Sequence, residues 1–318
     1  MLSFNRIKNL FYNEKNAKVK EEIKAEINEE ECQYLNLVKE IIEKGTIEDG
    51  RNGLVKSVFG RSMKFSLKDG QLPILTTKKV AWKTCFKELL FFIKGQTDNN
   101  ILKEQDVNIW TANSTREFLN NYNLNSQKEN DLGPIYGFQW RYWNAKYDGC
   151  DKNYEGCGID QLKYIIDSLK NKSTRSSRRL IMTAWNPEQL NNMVLPPCHV
   201  MIQFNVRDKK YLSACLFQRS CDMGLGVPFN ILSYSLLIHI LAKHCGLVAD
   251  EFVYFMGNAH IYINHIVGLN IQLKRSTKPF SKIAIKQLHN NIEDYSLDDI
   301  IFVEPYLCDD TIKMELVP

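Results

Sequence analysis

The chain has 318 residues, 44% of them hydrophobic and 25% charged, which is the composition of an ordinary globular protein and excludes disorder or simple repeats as a description of the whole. Lysine plus arginine number 41 and aspartate plus glutamate 37, so the net charge of +4 does not indicate a duplex-binding protein. No apolar run approaches the ~20 residues of a membrane span, and the N-terminus has no apolar core typical of a secretory signal.

Residues 1–30 are rich in Lys, Glu and Asn, and we interpret them as a charged, flexible extension that precedes a single domain spanning 31–318. Apolar residues at helical spacing then predict a helix that ends at Gly45. The further predicted elements are a strand at 57–67, helices at 82–94 and 159–170, strands at 180–185, 199–206 and 211–218, a helix from 229 to about 244, a strand at 252–256 and a helix at 260–273. This order predicts one α/β (α+β) domain with a mixed β-sheet flanked by helices.

The nine cysteines lie at irregular spacings and form no C-x-x-C pair, so neither a zinc motif nor a dithiol redox motif is indicated. An odd number of cysteines in a chain without a signal sequence is typical of reduced thiols. We therefore expect a cytoplasmic protein, with a nuclear location also compatible, and no metal site.

One cysteine follows two prolines in Leu195-Pro196-Pro197-Cys198-His199, at the entry to a predicted strand. Prolines prevent a helix and stiffen the approach, so Cys198 is a candidate nucleophile if its pKa falls below the ~8.5 of free cysteine. On these five residues alone, a buried structural cysteine is an equally good interpretation. We expect His199 to face away from Cys198, because neighbouring strand residues point to opposite faces.

The segment 218–230 carries a second group of polar residues beside glycines. Arg219 and Ser220 are suited to a phosphate, and Asp222 to an N–H group of a heterocycle. Asn230 offers a donor and an acceptor that together match an imide edge. The glycines permit close approach of the backbone to a ligand.

Two shorter motifs accompany these. Paired arginines such as Arg178 and Arg179 are usually solvated, although they also suit a phosphate dianion. His260 and Tyr262, which we place at the start of the helix at 260–273, have the groups to bind a sugar hydroxyl.

Together and in this order, the motifs resemble the thymidylate synthase family from about residue 31 to 318. The strings that carry the resemblance include LPILTTKK at 72–79, DLGPIYGFQWR at 131–141, LPPCH at 195–199, QRSCDMGLGVPFN at 218–230 and HIYINH at 260–265. The resemblance implies a mixed α/β domain whose sheet packs back-to-back on a second copy in a homodimer. It also implies a methyltransferase that converts dUMP to dTMP, with 5,10-methylenetetrahydrofolate as the donor of both carbon and hydride, and no metal.

The resemblance assigns roles to individual residues. Cys198 would add to carbon 6 of uracil, and the catalytic set would comprise Cys198, Glu88, Tyr136, His199, Asn230 and Asp222. The dUMP site would comprise Arg51, Arg178, Arg179, Gln218, Arg219, Ser220, Asp222, Asn230, His260 and Tyr262, with Arg178 and Arg179 acting across the dimer interface. The folate site would comprise Lys78, Ile109, Trp110, Asn113, Asp222, Leu225, Gly226, Phe229 and Pro318.

The sequence departs from the family pattern at three places. The loop after Arg51 is one residue shorter than usual, Asn258 stands where many members have aspartate, and the last two residues are Val317 and Pro318. None of these changes removes a group assigned to catalysis.

Two alternatives belong to other functional classes. A deoxycytidylate hydroxymethylase shares the fold and nucleophile, but a carboxylate would suit the amino edge of cytosine better than the neutral Asn230. A non-catalytic RNA-binding relative is disfavoured by the near-neutral charge and by the intact Cys198 and Glu88. We expect no membrane or nucleic-acid partner.

Overall fold

The structure is a computed structural model and describes residues 27–50 and 53–316. The strands of its main sheet are β1 (Thr46–Gly50), β2 (Gly53–Ser66), β3 (Ile181–Thr183), β4 (His199–Arg207), β5 (Tyr211–Asp222) and β6 (Val248–Tyr262). They lie in the order β1-β2-β6-β5-β4-β3, with β5 and β6 parallel and the other neighbours antiparallel. A separate antiparallel pair is formed by β7 (Ile283–Ile285) and β8 (Ile300–Phe302).

Helices accompany the sheet. They are α1 (Glu29–Lys44), α2 (Trp82–Ile93), α3 (Asn100–Lys103), α4 (Arg116–Asn121), α5 (Tyr136–Tyr142), α6 (Gln161–Lys170), α7 (Gly226–His244) and α8 (Ile266–Gln272). The predicted α/β domain with one mixed sheet is thus confirmed.

Helix α1 begins earlier than its apolar residues indicated. The Asn28 side chain accepts hydrogen bonds from the backbone N–H groups of Glu30 and Glu31, at 3.2 and 3.1 Å, which caps the helix. Glutamates in the first turn favour the positive end of the helix dipole. One face then packs into the core through Tyr34, Leu37, Val38 and Ile41.

Helix α7 connects the parallel strands β5 and β6 and packs against both. Parallel neighbours need such a crossover, because a tight turn can join only antiparallel strands. Within the described ranges, α7 is the one helix long and apolar enough to cross a membrane, but most of its side chains are buried inside the protein, as in a core helix.

The ends of β6 were predicted wrongly. The strand spans Val248–Tyr262 rather than 252–256, and α8 begins only at Ile266, so His260 and Tyr262 end a strand instead of opening a helix. The cause is tertiary: His260 pairs with Ser57 of β2 on one side and with Asp222 of β5 on the other. These two ladders hold the backbone extended beyond the apolar stretch.

The two faces of the sheet differ. Side chains such as Phe204, Phe252 and Tyr254 are fully buried against the helices. The opposite face, here called the outer sheet face, exposes apolar side chains and comprises Ile181, Met201, Phe217, Val253 and Phe255.

Candidate active site

A cleft of about 680 Å³ opens where β5 and β6 end. Because these strands are parallel, their carboxyl ends lie at the same edge of the sheet and bring segments 218–222 and 258–262 together. Most of the predicted site residues line it, namely Glu88, Ile109, Trp110, Asn113, Tyr136, Cys198, His199, Gln218, Arg219, Ser220, Asp222, Leu225, Gly226, Phe229, Asn230, His260 and Tyr262.

Five predicted residues are absent from this lining, and Lys78 among them is described separately below. Arg178 and Arg179 are exposed just before β3 and do not line the cleft of their own chain. Arg51 and Pro318 lie outside the described residues.

Lys78 is buried and does not line the cleft. Its side chain is only 5% exposed, and Nζ donates a hydrogen bond to the carbonyl of Gly224. Burial lowers the pKa of Lys78 to about 8, although the neighbouring Asp222 carboxylate opposes that shift. In this conformation the ammonium supports the loop after β5.

Cys198 is held by hydrogen bonds to the backbone around it. Its N–H donates to Tyr136 Oη at 2.8 Å, and its carbonyl accepts from the N–H of Arg219 at 2.9 Å. The Arg219 guanidinium also donates to the carbonyls of Pro197 and Pro196, at 2.9 and 2.8 Å. The half-buried thiol therefore projects into the cleft from a turn that is fixed on both sides.

His199 lines the same cleft as Cys198, so the expectation that it faces away was wrong. Cys198 precedes the strand, and β4 has a bulge between His199 and Met201, which breaks the alternation of faces. The His199 ring stacks on Tyr136 at 4.0 Å, and Nδ1 lies 2.8 Å from Tyr234 Oη. Burial lowers the pKa of His199 to about 3, so the imidazole is neutral at physiological pH.

Glu88 places a carboxyl group on the apolar helix α2. Trp110 Nε1 donates to its Oε1 at 2.8 Å. Burial raises the pKa of Glu88 to about 7, and the Trp110 hydrogen bond only partly opposes this. A carboxyl group with that pKa can both give and take a proton near neutral pH.

A chain of hydrogen bonds orients Asn230. Tyr254 Oη donates to Gln218 Oε1 at 2.7 Å, and Gln218 Nε2 donates to Asn230 Oδ1 at 3.0 Å. With its oxygen fixed towards Gln218, Asn230 presents its NH₂ group and a remaining oxygen lone pair to the cleft.

Asp222 organises the loop that leads into α7. Its carboxylate accepts from the N–H groups of Gly224, Leu225 and Gly226 at 2.9, 3.0 and 3.1 Å. Burial alone raises the pKa of Asp222, but His265 and the loop N–H groups outweigh it, and the net pKa lies below its ordinary value. Asp222 therefore remains ionised at neutral pH.

His260 has a defined tautomer. Its Nδ1 lies 3.0 Å from Asn258 Oδ1, which can only accept, so Nδ1 carries the proton and Nε2 is left as an acceptor. Burial lowers the pKa of His260, which keeps the ring neutral. Asn258, which stands where many family members have aspartate, thus places a neutral amide beside a neutral histidine.

Several lining residues were missed by sequence reasoning. They are Glu48, Gly50, Val55, Leu195, Pro196, Asn258 and Leu316. Leu195 and Pro196 adjoin Cys198, so their motif was a usable signal. Glu48 and Val55 lie on the β1–β2 hairpin, and no motif marks them.

Metal-ligand geometry occurs away from the cleft. Among the residues that the structure describes, the cluster with suitable spacing is Asp98, Cys150 and Asp151, and none of the three lines the cleft. The groups that face the cleft instead suit a planar heterocycle, through Asn230, and an anion, through Arg219.

Comparisons with known proteins agree with this geometry. Residues 32–318 match the family model described as "Thymidylate synthase". The chain is 46% identical over 291 residues to the bifunctional dihydrofolate reductase-thymidylate synthase of Leishmania major, covering 91% of this chain and 55% of that protein. It is 49% identical over 290 residues to the bifunctional protein of Plasmodium berghei (strain Anka), covering 91% and 49%. It is 46% identical over 287 residues to the thymidylate synthase of Homo sapiens, covering 90% of each chain. The chain thus spans about half the length of the bifunctional relatives.

Proposed function

The chain belongs to the thymidylate synthase family, and from this premise we propose that it methylates dUMP to dTMP with 5,10-methylenetetrahydrofolate as co-substrate. The observation that carries the proposal is the shared cleft, which holds a thiol, a carboxyl group of pKa about 7 and an oriented amide, on Cys198, Glu88 and Asn230. These are the groups that nucleophilic activation of uracil requires.

The reaction begins at Cys198. Its thiolate forms a bond to carbon 6 of uracil, and the electron pair of the carbon 5–carbon 6 double bond moves through carbon 4 onto oxygen 4. We assign to the Asn230 NH₂ group, which is oriented by the hydrogen bond from Gln218 to Asn230 Oδ1, the role of donating to that oxygen and stabilising the negative charge as it develops. The product of this step is a carbon 5 nucleophile.

The transfer follows at carbon 5. Carbon 5 bonds to the methylene carbon of the folate as one of that carbon's two bonds to nitrogen breaks, and carbon 5 then loses its proton. Cleavage of the second carbon–nitrogen bond releases tetrahydrofolate and leaves an exocyclic methylene group. Hydride from tetrahydrofolate reduces this group as the Cys198 thiolate departs, giving dTMP and dihydrofolate. Glu88 serves proton transfers at the base, because its pKa of about 7 permits both directions.

The remaining groups position the nucleotide. Arg219 and Ser220 lie at the end of β5 and suit the phosphate, while His260 and Tyr262 lie at the end of β6 and suit the deoxyribose hydroxyl. The apolar and aromatic side chains of Ile109, Trp110 and Phe229 suit the flat pterin.

We also propose a homodimer. Phe217 and Phe255 are 42% and 46% exposed on the outer sheet face, and an apolar patch of this kind is stabilised by burial against a second copy. Arg178 and Arg179 are exposed and do not line the cleft of their own chain, which supports the idea that they complete the phosphate site of a partner.

The proposal is tested with the purified chain, dUMP and 5,10-methylenetetrahydrofolate. We expect dihydrofolate absorbance to rise only when both substrates are present, with dTMP in the product. The Cys198→Ala variant should bind dUMP but show no turnover. Formaldehyde incorporation into dCMP, without dTMP formation, would instead identify the hydroxymethylase.

A further inference from the structure

We propose that His265 is a positioning residue that fastens the segment 311–316 to the wall of the cleft, by bridging the Glu315 carbonyl and the Asp222 carboxylate. The identity of the ligand that benefits, the folate co-substrate, rests on the proposed function. The bridge itself stands on contacts within the chain.

His265 lies in the short turn between β6 and α8 and is 1% exposed. Its Nε2 is 2.8 Å from the Glu315 carbonyl oxygen. A carbonyl can only accept, so Nε2 carries a proton. On the other side of the ring, Nδ1 lies 3.7 Å from Asp222 Oδ1, longer than a hydrogen bond but within ion-pair distance.

The segment 311–316 reaches the cleft directly beyond this contact. Leu316, the residue after Glu315, lines the cleft. Upstream, the Arg275 side chain donates to the Asp310 carbonyl at 2.7 Å, and the Asp309 N–H donates to the Thr76 carbonyl at 2.8 Å. Both anchors precede the segment. Within it, Ile312 and Met314 lie against Gly268, and the His265 hydrogen bond adds a polar anchor to Glu315, directly beside the cleft.

His265 also packs closely on the loop that Asp222 organises. A Cβ atom added at Gly224 would lie 2.4 Å from His265 Nδ1, so only glycine permits this approach. On the far side of the same loop, Lys78 donates to the Gly224 carbonyl. One imidazole therefore touches both the loop at 222–226 and the segment at 311–316.

The charges around His265 decide when the bridge is strongest. With the Nε2 proton directed at Glu315, a neutral ring would present the Nδ1 lone pair to the Asp222 carboxylate, whereas the imidazolium presents an N–H group. Asp222 favours the charged ring, while the Lys78 ammonium disfavours it, and so does His260 when protonated. The Tyr262 ring packs edge-on at 5.5 Å.

Burial lowers the pKa of His265, but the interactions with Asp222 and the Glu315 carbonyl outweigh it, and the net pKa is raised. The raised pKa determines how the stability depends on pH. Stabilisation by the bridge is complete below the unfolded pKa of histidine, as long as Asp222 is ionised, and it is lost as pH rises through the folded pKa of His265. Folate affinity should fall over the same interval.

The test uses tryptic cleavage after Lys313, an exposed residue inside the segment. His265→Ala removes both contacts and should accelerate cleavage about 10-fold or more, whereas His265→Gln retains an N–H donor of similar reach without a charge and should remain within about 2-fold of the wild type at high pH. The matched control, His289→Ala, removes a histidine that lies outside the cleft, 3.0 Å from Asp299 Oδ2. Trypsin should cleave this variant at the same rate as the wild type. The ratio of each variant to this control cancels the pH dependence of trypsin.

Kinetics supply the second readout. His265→Ala should raise the KM for folate about 10-fold and change the KM for dUMP less than 2-fold, and His265→Gln should abolish the pH dependence of the folate KM. Unchanged cleavage and an unchanged folate KM in His265→Ala, together with normal dTMP formation, would overturn the bridge and leave the proposed function standing. Faster cleavage in a protein whose wild type forms no dTMP would support the bridge and reject the function.

Discussion

Glu88 combines a titrating carboxyl group with an apolar environment. Its pKa is raised from an ordinary 4.5 to about 7, so the folded state binds the proton more tightly than the unfolded state does. Ionised Glu88 therefore destabilises the folded state. This effect is complete above pH 7, becomes smaller as pH falls from 7 to 4.5 and is absent below pH 4.5. Burial of the ionised Glu88 carboxylate thus lowers the stability of the folded protein at physiological pH.

We predict that Glu88→Gln stabilises the protein at pH 8, by up to roughly 3 kcal/mol, and by much less at pH 5. Glutamine mimics the protonated form and still accepts from Trp110. Turnover should fall at least about 100-fold, because the proton-transfer group is lost. Urea unfolding at the two pH values measures the first effect; equal stabilisation at both would contradict the assigned pKa.

Asn230 should decide which base is used. We predict that Asn230→Asp lowers kcat/KM for dUMP and raises the value for dCMP, since a carboxylate accepts from the amino edge of cytosine but repels oxygen 4 of uracil. The measurement is kcat/KM for both nucleotides. A selectivity identical to the wild type would remove Asn230 from base recognition.

Local motifs predicted which residues line the cleft better than they predicted the burial and direction of individual side chains. The Pro-Pro-Cys turn and the polar end of β5 are encoded within a few residues, so Cys198 and Arg219 could be found from the sequence. The burial of Lys78 could not, because its acceptor, the Gly224 carbonyl, is 146 residues away along the chain. The bulge that turns His199 into the cleft has no signal in the sequence either.

At the scale of elements, α1 is tied to the loop at 76–78 by a buried carboxylate. Glu31 is 0% exposed and accepts from the backbone N–H groups of both Thr76 and Thr77 at 2.9 Å. The two threonine hydroxyls donate to it as well, at 2.5 and 2.7 Å. Four donors thus replace the water that the carboxylate loses.

We predict that Glu31→Gln costs about 2 to 4 kcal/mol, because the amide NH₂ would face donors and leave buried N–H groups unpaired. Glu29→Gln is the matched control, since it makes the same change in the same helical turn at an exposed position. Denaturant unfolding measures both. A loss in Glu29→Gln as large as that in Glu31→Gln would assign the effect to the helix dipole.

Element positions were predictable where one stretch of chain determines its own burial. The apolar pattern placed α2 and α7 within a few residues of their observed bounds. The prediction of the β6 bounds failed, because the last residues of β6 are extended through pairing with both β5 and β2, and the paired residues of β2 are about 200 residues distant along the chain. Sheet order depends on the same distant pairing, so the sequence pattern predicts a mixed sheet without its order.

At the scale of the whole molecule, the outer sheet face should determine assembly. We predict that Phe255→Glu converts the proposed dimer to a monomer and abolishes turnover, because a charge would be buried between the two sheets. Leu288→Glu, which changes another exposed apolar residue outside this face, should retain both properties. Analytical ultracentrifugation with parallel assays distinguishes the two variants; an active, monomeric Phe255→Glu would reject the shared site.

Mixed dimers test directly whether Arg178 acts in the active site of the partner subunit. Arg178→Ala and Cys198→Ala homodimers should each be nearly inactive, but their mixture should regain up to about a quarter of wild-type activity. Random exchange makes half of the dimers mixed, and each mixed dimer has one intact site. Mixing that restores nothing, although subunit exchange is demonstrated, would mean that Arg178 serves its own chain.

The parallel pairing of β5 with β6 also determines at which stage of folding activity can return. The 19-residue helix between these strands must cross the sheet before segments 218–222 and 258–262 become neighbours. Such non-local closure is slow compared with formation of the helices themselves. After dilution from denaturant, the helical signal should therefore return before turnover does, and a partly folded chain would contain every catalytic side chain without a cleft to hold them.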